Sequence, residues 1–159
     1  MTLLQKLTNN AKNAFPRILL PESADERILL AALAADHQKI AQIILLGNKE
    51  KLEQRLSALN NDSIHSIEFI DLTDKGLLSS YAQSLYEIRG SKGLSLSDAG
   101  ELVKKNTVFA MLALGRGEAD GVGLTEHPQL RHAASAVQRR AVVGLQHLCG
   151  RQRSGQRPT

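Results

Sequence analysis

Residues 17–46 run RILLPESADERILLAALAADHQKIAQIILL. Arg17 to Leu20 is a short apolar stretch closed by Pro21, which reads as a strand. Ser23 and Glu26 stand in the S-x-x-E relation of a capping box, and Ile28, Leu29, Ala32 and Leu33 then recur at helical spacing. Gln42 to Leu46 is again β-branched and apolar and stops at Gly47-Asn48, as a second strand would. Strand, turn, helix and strand in so short a span predict a right-handed crossover between parallel strands.

The pattern continues on both sides. Lys49 to Leu59 reads as a charged helix with Leu52, Leu56 and Leu59 on one face. Ile64 to Leu72 alternates around Ile67, Phe69 and Asp71 as a third strand, and Lys75 to Arg89 is helical with Leu78, Ala82, Leu85 and Tyr86 on one stripe. Ser97 is expected to cap another helix, Asn106 to Gly115 completes the helical region, and Ala119-Asp120-Gly121-Val122 begins a fourth strand. Upstream, residues 2 to 13 read as a helix ended by Phe15-Pro16, because a residue before Pro is pushed out of the α region. The expectation is an α/β fold with a mainly parallel sheet and flanking helices. Such sheets bind ligands beyond the carboxyl ends of their strands, so the candidate loops are Pro21 to Asp25, Gly47-Asn48, Asp71 to Asp74 and whatever follows Gly121.

Composition divides the chain at that point. Residues 1–120 hold 9 Lys, 5 Arg and 15 acids, net −1, whereas residues 121–159 hold 6 Arg, one acid (Glu126) and no Lys, net +5. Lys, Asn, Ile, Phe and Tyr supply 30 of the first 120 residues and none of the last 39. The basic charge therefore belongs to the tail. At 159 residues and 42% hydrophobic content the chain is sized for one compact domain. The N-terminus is interrupted by Gln5, Lys6, Asn9 and Asn10, so it has no signal-peptide core, and the longest apolar run, Ile28 to Ala35, is too short to span a bilayer. A soluble, cytoplasmic protein is expected. The single cysteine, Cys149, excludes an intrachain disulfide and argues against a cysteine-based metal site. Three per cent aromatics and no Trp argue against a stacking platform for single-stranded nucleic acid.

No dinucleotide fingerprint is completed, since Asp120 stands where a third glycine would follow Gly115 and Gly117. No Walker loop, H-E-x-x-H or G-x-S-x-G occurs, and His37, His65, His127, His132 and His147 fall at no metal-ligand spacing. Two phrases stand out: Arg-Ile-Leu-Leu-Pro-Glu-Ser-Ala-Asp-Glu-Arg at 17–27, and Leu-Tyr-Glu-Ile-Arg-Gly-Ser-Lys-Gly at 85–93. Each has a structural reading. Glu22, Asp25 and Glu26 suit the first turn of a helix, where negative charge is favoured by about 0.3–1 kcal/mol; Arg89, Lys92 and Gly93 suit a helix C-terminus, with Gly supplying a left-handed turn. Arg89 and Lys92 also have a functional reading as an anion clamp, because two cations three apart beside a glycine turn can meet phosphate oxygens.

The two phrases in this order resemble the phosphate acetyltransferase (phosphotransacetylase) family, whose members transfer an acetyl group between acetyl phosphate and coenzyme A. The resemblance runs from about Phe15 to Gly121 and rests on Arg17-Ile-Leu-Leu-Pro-Glu22 with Asp25 and Arg27, Leu46-Gly47-Asn48, Leu85-Tyr86-Glu87-Ile88-Arg89 with Lys92-Gly93, and Asn106 to Gly121. It implies an α/β architecture of two subdomains with the active site between them, commonly in a homodimer, with coenzyme A as substrate and no further cofactor or metal. Carried over residue by residue, it implies Arg89 and Lys92 as contacts for phosphate or coenzyme A.

After Asp120-Gly121 the family continues into Val-Ser-Gly-Ala, His-Thr-Thr-Ala and Ile-Arg-Pro phrases, whereas this chain has Val122-Gly123-Leu124-Thr125-Glu126-His127-Pro128 and does not return. The expectation is thus an incomplete first part of the acyltransferase fold over residues 1–121, followed by an unrelated, disordered basic tail over 122–159 produced by a shift of reading frame. No residue is assigned a catalytic role, and the chain is expected to be inactive. Two other readings stand beside it. The α/β part could serve as a non-catalytic binding module for coenzyme A or phosphate. Alternatively, Leu130, Ala134, Val137, Ala141, Leu145 and Leu148 could form one face of a basic amphipathic helix for an anionic membrane or nucleic acid; neither membrane nor nucleic acid is the expected partner.

Overall fold

The computed structural model describes residues 1–60, 64 and 66–124. It contains α1 (Leu3–Ala14), β1 (Arg17–Leu20), α2 (Glu26–Gln38), β2 (Gln42–Leu46), α3 (Lys49–Leu59), β3 (Ile67–Ile70), α4 (Lys75–Arg89), a 3₁₀ turn (Gly90–Lys92), α5 (Leu96–Leu102), α6 (Asn106–Gly115) and β4 (Gly121–Val122). The strands form one parallel sheet in the order β3-β2-β1-β4. The tail helix considered over residues 129–148, Cys149 and His65 lie outside the described residues.

Strand pleating sorts the apolar side chains into two cores. Opposite faces alternate along a strand, and the register pairs Leu19 with Ile44 and Leu20 with Leu45. Leu19, Ile44, Leu46 and Val122 therefore face one layer, shared with Tyr81 and Ala82 of α4, Ala99 of α5 and Phe109, Ala110, Leu112, Ala113 and Leu114 of α6. Leu20, Ile43 and Leu45 face the other, against Ile28, Leu29, Ala32 and Leu33 of α2 and Leu52 and Leu56 of α3. A parallel sheet covered on both faces explains why its strands read as continuous apolar runs. The α6 sequence, apolar almost all round, is that of a fully buried helix, and every residue from Phe109 to Leu114 is buried.

Several boundaries agree with the sequence reading and two caps do not. The spans of β1, β2, α3, α4 and α6 are as expected, whereas the third strand is confined to Ile67–Ile70. Asp25, not Ser23, caps α2: its carboxylate accepts from the Arg27 N–H at 2.9 Å. Ser23 is buried and its hydroxyl instead donates to the Leu46 carbonyl, tying the turn after β1 to the end of β2. Likewise Ser95 caps α5, accepting from the Asp98 N–H, and Ser97 lies inside the helix. In both places two hydroxyl or carboxylate candidates sit close together, and the chain entry angle selects the one whose oxygen reaches the free N–H groups.

β4 closes the described sheet through a tight approach. Gly121 stands opposite Ile18, and a Cβ added there would lie 2.9 Å from Ile18 Cδ1. At the other end, α1 is well capped by reciprocal hydrogen bonds between Thr2 and Gln5, yet none of its residues is buried and Leu3, Leu4 and Leu7 are exposed.

Candidate functional site

The end of α4 places both cations singled out from the sequence. The helix runs to Arg89, tightens into the 3₁₀ turn and ends at Gly93, whose φ of +92° is left-handed. The Gly93 N–H donates to the Gly90 carbonyl at 3.0 Å and the Leu94 N–H to the Arg89 carbonyl at 3.3 Å. The backbone is thus the glycine-terminated cap read from the sequence. That leaves the side chains uncommitted, and Arg89 and Lys92 both line a cavity of about 480 Å³ between the end of α4 and helices α5 and α6.

Most of that lining is apolar: Leu85, Ile88, Leu94, Leu102, Val108 and Met111, with Thr107 as the hydroxyl-bearing member. The size falls in the usual range for small-molecule sites, about 300–1,000 Å³. α6 begins beside it. The five preceding α-helices are each capped by a side chain, from Thr2, Asp25, Asn48, Asp74 and Ser95, while Lys105 at the head of α6 supplies none.

Among the described residues the arginines divide cleanly. Arg17 binds Asp120 and the Gly117 carbonyl; Arg27 binds Asp25 at 2.6 Å. Arg55 donates to the Ser23 and Ala24 carbonyls at 3.1 and 3.0 Å, and Arg116 pairs with Glu118 at 2.7 Å. Arg89 alone among these five has a guanidinium with no hydrogen bond or ion pair to side chain or backbone. A half-buried guanidinium on an apolar rim, with no carboxylate bound to it, can pair with an anion from solution.

The loops at the carboxyl ends of the strands are bound to one another instead. Ser23 bonds to the Leu46 carbonyl, Arg55 to Ser23 and Ala24, and the Gly47 N–H to the Ile70 carbonyl at 2.9 Å. Asn106 Nδ2 reaches the Pro21 carbonyl at 2.8 Å, locking the head of α6 to the end of β1. Asp71, held below the ordinary carboxylate range by the Thr73 backbone N–H, adds a contact with Asn48. Asp25 is lowered too, first by the hydrogen bond from the Arg27 guanidinium and then by the Arg27 backbone N–H. These phrases act as a brace that fixes α6, and with it one wall of the cavity.

A second brace fixes α4 against α6. Tyr81 stacks on Phe109 with ring centroids 4.0 Å apart and planes 11° from parallel. Its hydroxyl donates to Glu118, and Arg116 lies over its ring at 4.4 Å while bonding Glu118 and the Ser84 hydroxyl. Burial first, then the hydrogen bond to Glu118, hold the Tyr81 phenol above its ordinary value. Neither this network nor the α5–α6 wall was visible in the sequence motifs; the continuous apolar run of α6 was the available signal. The described residues contain no group of His, Cys, Asp and Glu able to hold a metal, and no helix among them is long and apolar enough to cross a membrane.

The parallel sheet covered by helices on both faces defines an α/β protein, and known proteins narrow it to a family. The chain belongs to the phosphate acetyl/butaryl transferase family, whose sequence profile it matches over residues 2–139. It is 34% identical over 122 residues to the phosphate acetyltransferase of Thermoanaerobacterium thermosaccharolyticum, covering 77% of this chain and 36% of that one. To the phosphate acetyltransferase of Helicobacter pylori it is 34% identical over 145 residues, covering 89% of this chain and 28% of the relative. In structure it is similar to the EutD phosphotransacetylase from Staphylococcus aureus, with a TM-score of 0.69 and 26% identity over 86% of this chain and 43% of that one. A phosphotransacetylase from Streptococcus pyogenes shares the fold with a TM-score of 0.68 at 22% identity, over 87% of this chain and 41% of that one. The chain thus spans roughly a third of the length of the curated relatives it matches.

Proposed function

We propose that this chain carries the first α/β part of a cytoplasmic phosphate acetyltransferase, in which Arg89 and Lys92 bind phosphate oxygens of acetyl phosphate or coenzyme A. The observation that carries this reading is the unpaired Arg89 guanidinium on the cavity rim, at the position where the family phrase Leu85 to Gly93 falls. Coenzyme A is a substrate in this reading, with no further cofactor or metal, and the intact family arrangement would be a homodimer.

Acetyl transfer requires more than an anion clamp. The coenzyme A thiol must be aligned on the acetyl carbonyl, and positive or hydrogen-bonding groups must meet the developing oxyanion and departing phosphate. Among the described residues the cavity lining offers two cations and the Thr107 hydroxyl but no carboxylate, imidazole or thiol to move a proton. We therefore assign this chain a binding role and no acetyl transfer by itself, and attribute residues 122–159 to a shift of reading frame near Gly121. The coding sequence tests the latter: a one- or two-base shift downstream of codon 121 should restore Ser-Gly-Ala and His-Thr-Thr, and its failure to do so would sink that idea.

The functional test is an assay for acetyl-CoA formation from acetyl phosphate and coenzyme A, run beside calorimetric titration with coenzyme A. The expected result is background turnover with measurable coenzyme A binding that Arg89→Gln weakens about tenfold, a charge-assisted hydrogen bond being worth roughly 1.5–3 kcal/mol. Turnover well above background would overturn the binding-only reading, and binding indifferent to Arg89 would remove the site.

A further inference from the structure

The cavity walls do not match the polarity of acetyl phosphate. Leu85, Ile88, Leu94, Leu102, Val108 and Met111 supply apolar wall, while Arg89 and Lys92, both within four residues of Gly93 at the end of α4, supply charge. A small hydrated anion would satisfy the cations and leave some 480 Å³ of apolar-walled space unused. From this mismatch we infer that the cavity is a binding site for a small amphiphilic anion, a carboxylate or phosphate head on an unbranched apolar tail of about six to ten carbons. The head pairs with Arg89 and Lys92 and the tail lies along α5 and α6.

Three observations support an occupant of this chemistry over a docked protein segment. Both cations come from the end of α4 next to Gly93, and apart from Thr107 the other named lining residues are apolar, so the occupant is expected to be anionic where it meets that turn and apolar elsewhere. Neither cation has a carboxylate partner of its own. The walls are held by α4 and α6, which the Tyr81–Phe109 stack and the Asn106 bond to Pro21 fix in place, so the space does not need to be created on binding. The inference shares its cavity with the proposed function but not its ligand.

Tail length supplies the test. Each buried methylene tightens binding roughly fourfold, so affinity for the purified chain should climb from acetate through hexanoate to octanoate and level off once the cavity is full. Calorimetry or ligand-observed NMR would follow this series, with 1-octanol as the uncharged control. Arg89→Gln should weaken octanoate about tenfold and leave 1-octanol unchanged, whereas Val108→Trp, which fills the space, should abolish both. If Val108→Trp misfolds, the Arg89→Gln comparison stands alone, since Arg89 is not part of the core. Octanoate binding no tighter than acetate, or equal losses for octanoate and octanol in Arg89→Gln, would overturn the inference. Coenzyme A binding without octanoate binding would reject it and leave the proposed function standing; the opposite pattern would do the reverse.

Discussion

Arg17 and Asp120, 103 residues apart, clasp the first strand to the last. Asp120 Oδ2 accepts from the Arg17 backbone N–H at 2.9 Å and from its Nε at 3.1 Å, while Oδ1 meets Nη2 at 3.1 Å. In return the Asp120 N–H donates to the Arg17 carbonyl at 2.8 Å. The hydrogen bond that its guanidinium donates to Asp120 raises Arg17 above its ordinary value. The two side chains are 39% and 44% exposed, so their Coulomb attraction is largely screened and the backbone contact carries the effect. Asp120→Ala should lower the thermal midpoint by several degrees and Asp120→Asn, which keeps an acceptor for the Arg17 N–H, by less. Equal midpoints in the two variants would show that the clasp works through charge.

Tyr81 is expected to make stability fall at alkaline pH. Its folded phenol titrates above the unfolded value of about 10, so the unfolded chain loses a proton first as pH rises. Stability is then fully present below about pH 10 and falls as pH climbs through the folded value. Tyr81→Phe should remove this decline, seen as flatter urea midpoints between pH 9 and pH 11. A decline equally steep in the variant would assign it elsewhere.

Asp25 and Asp71 act on the acid side with the opposite sign. Arg27 lowers the first, and the Thr73 N–H lowers the second. Both carboxylates contribute stability above the unfolded value of about 3.9, and that contribution is lost as pH falls through their lower folded values. The double variant Asp25→Asn, Asp71→Asn should therefore lose less stability than the parent on acidification below about pH 4. Denaturation monitored by circular dichroism at pH 5 and pH 3 measures the difference.

Phe109 anchors the layer under the cavity. It is fully buried against Tyr81, and Phe109→Ala should cost about 3–5 kcal/mol. Gly121→Ala should cost much less, about 1 kcal/mol or below, because the added methyl meets only Ile18 Cδ1, the far end of a partly buried side chain that can turn aside. Chemical denaturation of both variants would check the ranking, and a Gly121→Ala loss as large as that of Phe109→Ala would mean that Ile18 cannot turn aside.

Elements set by short-range pattern were legible in the sequence. The apolar runs of β1 and β2, the Asn48 turn and the leucine faces of α3 fix their own boundaries because turn chemistry and periodicity act within a few residues. Ser23 and Ser97 show the limit of that reasoning. Each is a good capping residue with a better-placed neighbour, Asp25 or Ser95, and Ser23 is claimed by the Leu46 carbonyl of another strand. Asp36 could have been found: it continues the buried stripe Leu29, Ala32, Leu33 at helical spacing, and its carboxylate accepts from the Ser66 backbone N–H at 2.7 Å.

The residues by themselves determined a parallel α/β chain, the phrases that place it among phosphate acetyltransferases, and the two cations Arg89 and Lys92, because helix periods, turn residues and motif order are local properties. Tertiary structure decided what those cations face. The cavity joins Leu85 and Ile88 of α4 to Leu102, Val108 and Met111 of α5 and α6, and its walls stand where they do because Tyr81 stacks on Phe109 and Asn106 reaches Pro21. Contacts between residues so distant along the chain depend on how the helices pack across the sheet, and no spacing within the sequence encodes them.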